Sequence, residues 1–324
     1  MKTIIIKFGG SSLADPGKIR RAAAMVLAGR RRGLAPVAVV SAPADSTDDL
    51  LKLASLTGGA GAPKRETDAL MAAGEQFSAA LMAMAINAEG GRAMSFTGAQ
   101  AGIRTDSSFS AAEVLRVDPA RVKKALAAGF IPVVAGFQGV SPEGDVTTLG
   151  RGGSDLTAVV LARALGRALC EFRTDVKGIY TANPSIVPEA RKIGKISYDE
   201  VVAMAELGTE VRQLRAVKYA REHSIPLHLR SSFHDEPGTL VTASGGGPGA
   251  GCLSLKKEGE DAMVSVIGRK LGRAQLEKAL SAAAGAGIDA RPAGTSAGSL
   301  VLRARQADAE PLLKALHSAF FGPR

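Results

Sequence analysis

Short runs of aliphatic and β-branched residues alternate along the chain with longer stretches whose apolar positions recur at helical spacing. Ile4–Phe8, Val37–Val40 and Ile131–Ala135 read as buried strands, and Pro16–Arg31, Arg65–Asn87 and Asp118–Ala128 as helices with one apolar face. A second series follows: a helix over Ser154–Leu165, a strand around Cys170–Phe172, helices over Asp199–Leu207 and Leu214–Glu222, and a strand over Leu227–Arg230. Strands that alternate with helices in this way predict an α/β fold, a mostly parallel sheet covered by helices on both faces.

The pattern breaks at Ser244-Gly-Gly-Gly-Pro-Gly-Ala-Gly251, a run with the composition of a flexible linker. Beyond it, Ala262–Gly268 reads as a strand, Arg273–Gly285 as a helix, Ser299–Arg305 as a strand and Ala307–Phe320 as a helix. The expected organisation is a large domain over 1–243, a linker over 244–261 and a small βαβα-like module over 262–324. So small a module holds little core of its own and is expected to pack on a partner. A homodimer or higher oligomer is the corresponding expectation.

Composition supports a folded chain of 324 residues: 46% is hydrophobic, 22% charged and 4% aromatic, with no Trp, so the core is built from Ala, Val, Leu and Ile. The uninterrupted apolar runs are too short to span a bilayer, and the chain enters a strand at Thr3 with no leader-like segment, so a cytoplasmic protein with no membrane partner is expected. Cys170 and Cys252 have no metal or redox spacing and read as ordinary thiols. The net charge of +10 raises the question of nucleic acid, but the excess is spread along the chain and its densest run, Gly29-Arg-Arg-Arg-Gly33, closes a predicted helix. Without a nucleic-acid motif or aromatic platform beside it, the charge points instead to an anionic small molecule.

Five segments carry candidate chemistry. Lys7-Phe-Gly-Gly-Ser-Ser12 lies where the first strand gives way to a helix, and paired glycines beside a lysine suit a phosphate. Its spacing is neither that of a P-loop nor that of a dinucleotide fingerprint. Thr147-Thr-Leu-Gly-Arg-Gly-Gly-Ser-Asp155 precedes a helix that Ser154 or Asp155 is expected to cap, and the fork of Arg151 between glycines suits a carboxylate. Gly74 inside a helix costs about 1 kcal/mol against alanine, which predicts close approach by another segment, with Glu75 beside it able to hold an amino group. Ser41 to Asp49 clusters short hydroxyls and carboxylates, with Ser46 or Asp48 as an expected helix cap. Thr174-Asp-Val-Lys-Gly-Ile-Tyr-Thr-Ala-Asn-Pro184 is a polar turn beyond a strand.

In this order the segments, with Gly98-Ala-Gln-Ala-Gly102, Ala135-Gly-Phe-Gln-Gly139 and Leu229-Arg-Ser-Ser232, resemble the aspartokinase branch of the amino-acid kinase family over about residues 2–242. The resemblance implies an amino-acid-kinase fold and transfer of the γ-phosphoryl group of MgATP to the side-chain carboxylate of aspartate or a similar amino acid. It implies that Lys7, Gly9, Gly10 and Ser11 cradle the phosphoryl group and that Asp155 orients Lys7. Arg151, with Gly152, Gly153 and Ser154 beside it, would grip a substrate carboxylate, while Glu75 receives the amine and Ser41 and Thr47 complete the substrate site. Thr174, Asp175, Tyr180 and Arg212 would contact the nucleotide. No resident metal site is implied, and the C-terminal module resembles a single ACT-type unit where the family generally carries two.

The chain also departs from that pattern. Glu210 replaces a lysine that contacts ATP phosphates, Asn183-Pro184-Ser185 replaces Asp-Pro-Arg, Arg173 replaces an aromatic or aliphatic residue, and Lys177 stands where aspartate or proline is usual. These changes fall in the nucleotide half. They leave open a second reading, an amino-acid-binding homologue that has lost or altered its use of ATP.

Overall fold

The computed structural model of the protein describes residues 1–44, 46–209, 214–247 and 249–322. In chain order the elements are β1 Lys2–Phe8, α1 Pro16–Arg31, β2 Leu34–Val40, α2 Ser46–Gly58, α3 Lys64–Ala88, β3 Ala93–Phe96, β4 Ile103–Thr105 and β5 Val114–Val117. There follow α4 Ala120–Ala127, β6 Ile131–Ala135, β7 Gln138–Val140, β8 Val146–Thr148, α5 Gly153–Ala164, β9 Leu169–Thr174, β10 Lys195–Ser197, α6 Tyr198–Glu206, α7 Leu214–His223 and β11 Leu227–Ser231. The last are β12 Thr239–Thr242, β13 Gly249–Glu258, β14 Asp261–Arg269, α8 Arg273–Gly285, β15 Arg291–Thr295, β16 Ser299–Arg305 and α9 Ala309–Phe321.

The chain divides into two compact units, the first made of residues 1–177 and 222–236, the second of 178–221 and 237–324. At the centre of the first, six strands run parallel in the order β11-β9-β1-β2-β6-β3. Side chains alternate across this sheet. Ile4, Ile6, Phe8, Ala38, Val40, Val133 and Ala135 pack with Ala22, Ala23 and Val26 of α1 and with Ala79, Met82 and Ile86 of α3. Ile5, Val37 and Val39 are equally buried on the other face, where α5 lies against β1, β2 and β9. Helices therefore cover both faces, as the pattern predicts for a parallel sheet. A smaller sheet, β5-β4-β7-β8, completes the unit.

α3 is the one helix among the described residues long and apolar enough, by length and composition, to cross a bilayer. Here it is a core helix, which carries Asp68 and Glu75 inward on its buried face together with Ala72, Ala79 and Met82.

The second unit holds the parallel pair β10–β12 and an antiparallel sheet ordered β13-β14-β16-β15. Its core joins Val264, Val266, Leu300 and Leu302 to Leu312, Leu313 and Leu316 of α9 and Ala279 and Ala283 of α8. The small tail is thus ββαββα rather than βαβα, since β13 and β15 were not legible as strands. The glycine-rich stretch expected as a linker over 244–261 contains β13 from Gly249 onward. Its glycines serve close packing: a Cβ on Gly251 would stand 2.7 Å from Glu200 Oε1, and one on Gly268 of the paired strand 2.1 Å from the Gly249 carbonyl. The β13–β14 register shifts between Ala250 and Cys252, a bulge that glycine accommodates.

Candidate active site

Lys7 is the last residue but one of β1 and faces α5. Its Nζ lies 2.7 Å from Oδ1 of Asp155, and both side chains are buried. Asp155 sits in the first turn of α5, where the helix dipole favours a carboxylate. The expected cap is different from the observed one: the N-cap is Gly152, with φ +74° and no side-chain cap bond, and Ser154 and Asp155 lie inside the helix. Gly150 (φ +70°) and Gly152 both take the left-handed conformation that glycine adopts without strain. That sharp turn lets Asp155 reach Lys7 instead of its own helix end.

The turn after β1 uses its two glycines differently. The Gly9 N–H donates to the Arg173 carbonyl at 3.2 Å. A Cβ on Gly9 would meet nothing closer than 3.9 Å, Lys7 Nζ being one of those neighbours. A small group there would make only ordinary van der Waals contact, so the turn leaves room beside the cation on the scale of a phosphoryl oxygen. A Cβ on Gly10 would stand 2.8 Å from the Ala42 carbonyl, so Gly10 answers to the close approach of the chain after β2. The Gly10 carbonyl accepts from Ala44 N–H at 3.2 Å in that contact. Ser11 is half-buried. Ser12 Oγ donates to Ser232 Oγ at 2.7 Å.

Glu75 comes to the same place from α3. A Cβ on Gly74 would lie 2.9 Å from Ala42 Cβ, so the helix glycine does mark a close approach. Through it Glu75 Oε1 accepts the Ala42 N–H at 3.1 Å. Its Oε2 is buried with no hydrogen-bond partner among the described residues. Burial pushes the Glu75 carboxyl up to about 7, against the opposing pull of the Ala42 N–H and the Lys7 charge. A buried carboxylate with a free oxygen in the field of Lys7 is suited to receive an ammonium group. Ser41 donates its N–H to the Phe8 carbonyl at 3.2 Å and is half-buried, as is Thr47 in the first turn of α2. Ser46, expected as a cap, is the first residue of α2 and donates its hydroxyl to the Pro43 carbonyl at 2.6 Å.

The structure thus brings Lys7, Gly9, Gly10, Ser41, Glu75 and Asp155 together. Arg151 stands apart, exposed and without an ion pair among the described residues. Gly153 is packed tightly, since a Cβ there would lie 2.8 Å from Phe137 Cδ2. Thr174 closes a local turn with Val176, and Asp175 is exposed. Tyr180 belongs to the second unit, where it forms a bridge to Lys192. Arg212 and Glu210 lie outside the described residues. Cys170 and Cys252 are buried free thiols, and burial pushes both of them up. Among the described residues no group of three or more His, Cys, Asp or Glu could hold a metal ion.

Two residues were missed. Asp68, two helical turns before Glu75, is fully buried and accepts from Thr148 N, Thr148 Oγ1, Ser110 N and Ser110 Oγ. It fixes the chain just before the Gly150–Gly152 turn, and its seven-residue spacing from Glu75 was the available signal. Glu171 is buried and pairs with Arg173 at 2.6 Å, which accounts for the unusual arginine at that position.

A buried lysine and a glycine turn stand at the carboxyl ends of parallel strands, where α/β sheets of this kind place ligands. The model of the amino acid kinase family matches residues 2–231, and the chain belongs to that family. Within it, the similarity is to aspartokinases. That of Mycobacterium tuberculosis is 51% identical over 245 residues, 75% of this chain and 58% of its own length. That of Thermus thermophilus is 46% identical over 241 residues, covering 74% and 59%. The chain therefore spans little more than half the length of these relatives. The crystal structure of E. coli aspartokinase III in complex with aspartate and ADP superposes with a TM-score of 0.81, covering 99% of this chain and 100% of that one, at 22% identity, and so shows the shared fold.

Proposed function

We propose that the chain phosphorylates the side-chain carboxylate of aspartate or a similar small amino acid at the expense of ATP. The observation that carries this reading is the buried Lys7–Asp155 pair beside the uncrowded backbone of Gly9, with the unpaired Glu75 oxygen in the same electrostatic field. In such a reaction a substrate carboxylate oxygen attacks the γ-phosphorus, the bond to the β-phosphate bridging oxygen breaks, and an acyl phosphate and ADP result. A carboxylate is already a nucleophile near neutral pH, so no general base is needed. The chain's work is positioning and charge neutralisation. Lys7, held by Asp155, offsets the charge of the transferring group, Glu75 holds the substrate ammonium, and Arg151 supplies a guanidinium for the α-carboxylate. The aspartate and ADP named in the E. coli structure support this choice of substrates.

Glu210, Asn183 and Ser185 favour the second reading, an amino-acid site with altered use of ATP. Calorimetric titration tests the amino-acid half, which both readings share. Aspartate is expected to bind the wild-type protein, and Arg151→Ala to weaken it measurably, by about 1 kcal/mol if the guanidinium stays as exposed with ligand as without it. Unchanged aspartate affinity in that variant removes Arg151 from the site.

A further inference from the structure

The opposite face of the sheet carries a second cationic site that the proposed chemistry does not use. Side chains paired in register on parallel strands point the same way, and Arg173 pairs with Phe8, on the α1 face, whereas Lys7 faces α5. Over the ends of β9 and β11 on the α1 face opens a cleft of about 430 Å³, within the range of small-molecule sites. Arg21 and Met25 of α1 and Arg32 at its C-cap line one side, and Arg173, Arg230 and Phe233 line it from the sheet side.

The charge in this cleft is not balanced. Arg173 bonds Glu171 at 2.6 Å and donates to the Ser231 carbonyl. Arg230 is shared between Glu171 at 3.5 Å and Asp235 at 3.1 Å. Arg21 and Arg32 are exposed and have no ion pair among the described residues. Four guanidinium groups against two carboxylates, Glu171 and Asp235, leave two positive charges facing the cleft. Burial pushes the Arg173 guanidinium down, with Glu171 opposing the shift and Arg230 adding to it. Planar guanidinium forks match phosphate oxygens in geometry as well as charge, and Met25 and Phe233 offer an apolar wall.

We propose that this cleft binds a small phosphomonoester, its dianionic phosphate on the arginines and its organic part against Met25 and Phe233. The site does not depend on the kinase reading, since no residue in it belongs to the Lys7 cluster.

The test is calorimetric titration of the full chain with phenyl phosphate, and with orthophosphate in parallel, in the absence of nucleotide. The comparison variant is Arg21→Glu/Arg32→Glu. Both positions are exposed, Arg21 on α1 and Arg32 at its C-cap, so the variant keeps the fold, which an unchanged melting temperature verifies. The wild type is expected to bind phenyl phosphate saturably and more tightly than orthophosphate, and the double variant at least tenfold more weakly. Should the fold be lost, the neutral pair Arg21→Gln/Arg32→Gln carries the same expectation of weakened binding. No saturable binding by the wild type, an affinity indifferent to the substitutions, or orthophosphate bound as tightly as the ester would overturn the proposal.

Discussion

At the scale of single residues, the site sets charge against burial. Glu75 titrates near 7 in the fold against an ordinary value of 4.5. The native state therefore holds this proton more tightly than the unfolded chain does. The associated stabilisation, on the order of 3 kcal/mol, is present in full below about pH 4.5 and is lost as pH rises through about 7. Glu75→Gln, which cannot ionise, lacks that loss. The melting temperature of the wild type should fall relative to that of the variant between pH 4.5 and 7, and parallel profiles would remove the strain from Glu75. Lys7 and Asp155 form the complementary case. Lys7→Met leaves Asp155 buried and unpaired and should lower stability by about 3–5 kcal/mol. Lys7→Met/Asp155→Asn should recover most of that loss in denaturant melts without recovering phosphoryl transfer, which separates the pair's structural part from its chemistry. Lys7, Gly74 and Glu75 were legible in the sequence because each broke a local rule: a cation closing an apolar strand, a glycine within a helix, a carboxylate beside it. Asp68 was not, because an aspartate in the second turn of a helix looks like a solvated charge until its distant hydrogen-bond partners, Ser110 and Thr148 of β8, are known.

At the scale of elements, the two glycines after β1 make opposite predictions. Gly10→Ala forces a Cβ to 2.8 Å from the Ala42 carbonyl, a backbone atom that cannot swing aside, and should cost about 1–3 kcal/mol by overpacking. Gly9→Ala meets nothing closer than 3.9 Å and should melt like the wild type, yet its methyl group fills space next to Lys7 and should weaken MgATP at least tenfold. Thermal melts and nucleotide titrations on the two variants check this, and equal behaviour of both in both assays would contradict it. The main strands and helices were readable because a buried parallel strand is a continuous apolar run and a covering helix is amphipathic. The small sheet β5-β4-β7-β8 was not, because strands of three or four residues carry too short a pattern. β13 was hidden by glycines that look like a flexible tether and serve strand contact instead. The α5 cap was misread for a related reason: the residues with capping chemistry, Ser154 and Asp155, are the second and third residues of the helix because two left-handed glycines turn the chain first.

At the scale of the whole molecule, the parallel six-stranded sheet gathers residues far apart in sequence at one end of its strands. Lys7 comes from β1, Ser41 from the end of β2, Glu75 from α3 and Asp155 from α5. Such convergence is what parallel α/β topology produces, and it places ligands outside the carboxyl ends of the strands. The central claim is that this convergence transfers a phosphoryl group to a carboxylate. Incubating the purified chain with MgATP, aspartate and hydroxylamine measures it directly, because hydroxylamine traps an acyl phosphate as a coloured hydroxamate. The account predicts hydroxamate that requires both MgATP and aspartate and falls to background in Lys7→Met/Asp155→Asn. Aspartate bound in a calorimeter by a protein that yields no hydroxamate at saturating MgATP would contradict it.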